Sequence, residues 1–197
     1  IPSEAITKPQ WEVLIQPLAR LRELDDHWVR AFVKKAVAAH PGEVIKMLQA
    51  RLLEGARNFE FRALRRDRKG VGLALLSHPD GLTLLRDFLA WAVGQQAGRD
   101  LAMDIGSTVS GLCGKYGADV MELLLELLSG GGQAHVDVVA SVLRSVHETF
   151  VLEETPFIRQ ALNQAEVVSE QAVGALSSAL WSATVTGGRS GTVGEPF

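Results

Sequence analysis

His40-Pro41-Gly42-Glu43-Val44 and His78-Pro79-Asp80-Gly81-Leu82 stand 38 positions apart (78 − 40), each in front of an apolar segment with helical spacing. Gly117-Ala118-Asp119-Val120 follows Asp80 by 37 (117 − 80), and Glu154-Thr155-Pro156-Phe157 follows Gly117 by 37 (154 − 117). Proline and glycine break helices, and the residue before a proline is pushed out of the helical region. Recurrence of such breaks about every 37 residues therefore marks repeated helical hairpins, each too small to bury its own apolar face.

Working outward from these breaks, apolar residues recur at helical spacing almost everywhere, with no sustained strand-like alternation. Pro9 starts a first helix with Trp11, Leu14, Ile15, Leu18 and Leu21 on one face, and Pro17 within it predicts a kink. Asp25 or Asp26 caps a second helix, whose face is Trp28, Ala31, Phe32, Val33 and Ala36. Pro41-Gly42 closes this hairpin. The second spans about 43–54, stopped by Gly55, and 59–76; the third 82–93 and 100–113. The fourth spans 119–128 and 133–150, parted by Gly130-Gly131-Gly132. The fifth has a short first member, 157–163, and then 167–184. The predicted fold is all-α, an α-solenoid of about five stacked hairpins over residues 1–185. Residues 186–197, rich in Gly, read as a flexible tail or linker.

The unit length, the paired helices and Pro41, Pro79 and Pro156 near the starts of first helices resemble the HEAT-repeat family over most of positions 9–184. The Asp and Arg pair of many such repeats is not found, and neither is the Trp, Leu-Gly, Tyr, Ala and Phe pattern of tetratricopeptide repeats. The resemblance implies a curved scaffold that grips a protein, sometimes nucleic acid, and no shared chemistry.

Composition agrees with a folded, closely packed chain: 47% hydrophobic and 22% charged, with few aromatics. The single cysteine, Cys113, excludes an internal disulfide framework and a multi-cysteine zinc site, and its apolar neighbours suggest an inert thiol. No signal peptide or bilayer-length apolar run is present, so the expected compartment is the cytoplasm. The ends at Ile1 and Phe197 read as those of a domain within a longer protein. A net charge of −3 hides an asymmetry: residues 1–98 carry 15 basic and 11 acidic groups, residues 99–197 carry 5 and 12. In a stack this becomes a dipole along the long axis.

Arg62, Arg65, Arg66 and Lys69 fall at i, i+3, i+4 and i+7 and form one basic stripe, with Arg57 and Arg68 close by and Arg51 ending the preceding helix. Second helices of such hairpins line a concave side, and guanidinium groups suit carboxylates or phosphates. A solvated face with local ion pairs competes with an acidic protein partner and with nucleic acid. Helical-repeat DNA glycosylases combine a basic groove with Trp side chains and a catalytic Asp. Here Trp11, Trp28, Trp91 and Trp181 each also suit the core, and Asp104 is the only acid placed for partial burial.

Nothing else carries chemistry. The five histidines lack metal-ligand spacing, and His40 and His78 end helices. Gly114-Lys115 lacks the Ser or Thr and the strand of a phosphate loop. No catalytic residue, metal or cofactor is assigned. Small residues form stripes at Ala102, Gly106, Ser110 and Gly114, and at Gly174, Ser178 and Ser182, where a neighbouring backbone is expected to approach. The last helix has an apolar face of Val173, Leu176, Leu180 and Ala183. Its opposite side holds Ser177, Ser178 and Trp181 without a charge, which reads as an uncapped end that meets further repeats, a partner or a second copy. The expected function is a non-catalytic scaffold binding a protein partner through Arg57, Arg62, Arg65, Arg66 and Lys69 or through Trp181. The alternative is a nucleic-acid-binding repeat protein, possibly glycosylase-like in its use of that stripe.

Overall fold

A computed structural model describes residues 7–21, 27–55, 74–75, 77–95, 117–145 and 155–187. Among them lie eight helices and no strand: α1 (Lys8–Arg20), α2 (His27–Ala39), α3 (Pro41–Gly55), α4 (Gly81–Gly94), α5 (Gly117–Ser129), α6 (Gln133–Ser145), α7 (Thr155–Val168) and α8 (Glu170–Gly187). The all-α class read from the sequence is the class observed.

Local chemistry sets the ends. The Thr7 N–H donates to Gln10 Oε1 at 2.9 Å, half of a capping box, and Pro9 occupies the first turn of α1 where no donor is required. His40 alone joins α2 to α3: its N–H donates to Ala36 O at 2.7 Å and its carbonyl accepts from Val44 N at 3.2 Å. Pro41-Gly42 therefore opens α3 instead of ending the hairpin before it, since Pro at the first helical position is already set to helical φ. Ser169 makes the same one-residue corner between α7 and α8. Its N–H donates to Ala165 O at 3.1 Å, and its Oγ accepts from Ala172 N at 3.0 Å as an N-cap.

The fifth pair departs most from expectation. α7 does not stop at Asn163 but runs to Val168, and α8 starts at Glu170 instead of Val167. The polar run Asn163-Gln164 conceals a buried stripe of Phe157, Ala161 and Ala165, spaced by four, that carries the helix through.

One apolar core runs through every described helix, from Trp11 stacked on Phe32 at 5.2 Å to Leu176 and Leu180 of α8. The helix opening each predicted hairpin packs on the next, in the order α1, α3, α4, α5, α7. α6 and α8 pack on each other, and each also packs on its own hairpin partner, α5 and α7. Polar contacts fix the direction. Lys8 and Arg20, at the two ends of α1, reach Glu43 and Glu54 of α3 at 3.9 and 3.5 Å, so the two helices run parallel, offset by 35 (43 − 8) and 34. Arg86 of α4 meets Glu126 of α5 at 2.9 Å, 40 positions on. Ser169 donates to Gln133 across 36 positions, and Arg144 to Ala175 O across 31, so α6 and α8 also run parallel. Offsets close to the sequence period are compatible with a stack of hairpins.

Candidate functional site

The basic stripe of Arg57, Arg62, Arg65, Arg66 and Lys69 lies outside the described residues, as do Arg68, Asp104, Cys113, Asp25, Asp26 and the first small-residue stripe. Arg51, counted beside that stripe, is described and is no surface cation. It is 1% exposed, with Nη1 donating to Ala19 O at 3.4 Å and to Leu21 O. Those are carbonyls at the C-terminal end of α1, where helical acceptors are left over and a cation is favoured. The guanidinium therefore holds α1 to α3, and the available positive charge near position 51 is smaller than the sequence count suggested.

Surface character changes along the chain. Of the large apolar side chains, Trp28 (78% exposed) and Val13 (74%) lie in the first two helices, and Val167 (88%) and Trp181 (71%) lie in the last two. Leu53 and Leu82, between them, are only marginally exposed. The four tryptophans thus split. Trp11 is fully buried, Trp91 is half-buried and stacked on Phe88 at 5.3 Å, and the other two face outward. Trp28 corrects its expected place on the buried face of α2, which is instead formed by Val33, Ala36 and Val37. A signal for this stood in the sequence: Lys35 is seven residues on, on the same helical face, and an unpaired ammonium is almost never buried.

On α8, Ala172, Leu176, Ala179 and Leu180 are buried against the core, while Glu170, Gly174, Ser177, Ser178 and Trp181 form the exposed side. The expectation that Gly174 and Ser178 admit a neighbouring backbone is corrected. A Cβ added at Gly174 would meet nothing within 4 Å. Close approach on the buried side is provided by alanines: Ala172 and Ala179 here, Ala161 and Ala165 on α7, and Ala140 on α6. The uncharged flank of α8 around Trp181, singled out from sequence, is exposed to solvent.

Two further polar groupings explain themselves structurally. Glu43, in the first turn of α3, is 5% exposed, and its Oε1 accepts from Lys46 at 2.9 Å. Gly130 and Gly132 flank the His135 ring: a Cβ at Gly130 would stand 2.5 Å from Nε2 and one at Gly132 3.1 Å from Nδ1, while Gly131 between them turns the chain at a φ of +73°. Two of the three glycines are thus a close fit around an imidazole at the start of α6, and the third serves the turn. Among the described residues no group of three or more His, Cys, Asp or Glu side chains could hold a metal ion, and no helix is long and apolar enough to cross a membrane. Comparison with family models, curated proteins and solved structures finds no match to this chain.

Proposed function

We propose that this chain is a HEAT-like α-solenoid that works as a non-catalytic scaffold in the cytoplasm, binding a protein partner as one domain of a larger multidomain protein. The observation that carries the reading is the set of contacts between helices offset by 30 to 40 residues, from Arg51–Leu21 to Arg86–Glu126, with α1 parallel to α3 and α6 parallel to α8, joined to exposed tryptophans on α2 and α8. Repeats stacked in this way bury a continuous core and leave long outer surfaces, which is the usual basis of protein binding by such folds. Exposed indoles are frequent anchors at protein interfaces, because they bury much area at little entropic loss.

The test is affinity capture on the intact chain, on R62E/R66E and on W181E, each checked by circular dichroism. A specific protein held by the intact chain and lost from one of the two variants supports the scaffold. A duplex or single-stranded oligonucleotide bound with a steep linear dependence on log salt, and lost in R62E/R66E, replaces it with the nucleic-acid alternative.

A further inference from the structure

We draw no further inference here: the strongest candidate, the surface patch on the exposed, uncharged flank of α8 around Gly174, Ser177 and Ser178, carries nothing because nothing in the structure shows what covers it.

Discussion

Arg51 and Arg144 do the same thing in two regions of the molecule, with different surroundings. Each reaches from one helix to backbone carbonyl oxygen on a parallel neighbour: Arg51 of α3 to Ala19 and Leu21 at the end of α1, Arg144 of α6 to Ala175 of α8. Arg51 is almost wholly enclosed, whereas Arg144 is exposed. The α1–α3 joint is a buried polar clamp flanked by ion pairs at both ends. The α6–α8 joint has polar links only in exposed or part-buried positions, and its buried part is apolar, with alanines of α8 (Ala172 and Ala179) among the valines and leucines. A clamp depends on one charged donor group, and a small-residue seam depends on volume.

The largest effect is therefore expected at Arg51. R51A leaves the buried Ala19 carbonyl and the part-buried Leu21 carbonyl without this donor and opens a large void, and should destabilise the fold by about 3–5 kcal/mol in urea unfolding. R51K keeps the charge but not the planar fork, and should recover part of that loss. The corresponding R144A change, at an exposed bond, should stay within about 0.5 kcal/mol of the intact protein. Equal losses at the two arginines would break the comparison.

On the other side, volume is the lever. Ala179 is fully buried on α8, and A179L adds three carbons to a close helix contact, which should destabilise by about 1–3 kcal/mol. The Gly130–His135 fit sits between the two mechanisms. G130A forces the ring aside and should lose roughly 1–2 kcal/mol, and H135A in the same protein should return much of it. If the double variant is no better than G130A alone, the glycine serves the turn and not the ring.

How far these regions could be read from sequence follows the same division. The apolar face of α3, with Val44, Ile45, Met47, Leu48 and Leu52, was legible because a 3.6-residue period writes itself into residue type. The full length of α7 was not, because alanine marks a buried stripe as weakly as it marks an exposed one. Trp28 misled for a related reason: indole hydrophobicity argues for burial, and only the lysine seven residues on argues against it. Arg51 could not be read at all. Its partner carbonyls lie 30 and 32 positions away, and backbone acceptors leave no trace in residue identity. The uncharged flank of α8 was legible, since absence of charge over three turns is itself a pattern.

The smallest effect expected belongs to the ion pair beside the clamp. Lys46 is held above its ordinary pKa, first by its hydrogen bond to Glu43, then by the Coulomb attraction of that carboxylate, with Glu12 adding to it. A raised lysine pKa stabilises the folded state at every pH below the unfolded value of 10.5, and that contribution is lost as pH rises through the folded value. The ammonium is more than half exposed, so solvent screens the gain. NMR titration should place the Lys46 midpoint above 10.5, and E43Q should bring it down. Arg51 keeps its charge across this whole range. The alkaline loss of stability at Lys46 should therefore be flattened by E43Q, with the α6–α8 joint responding as before.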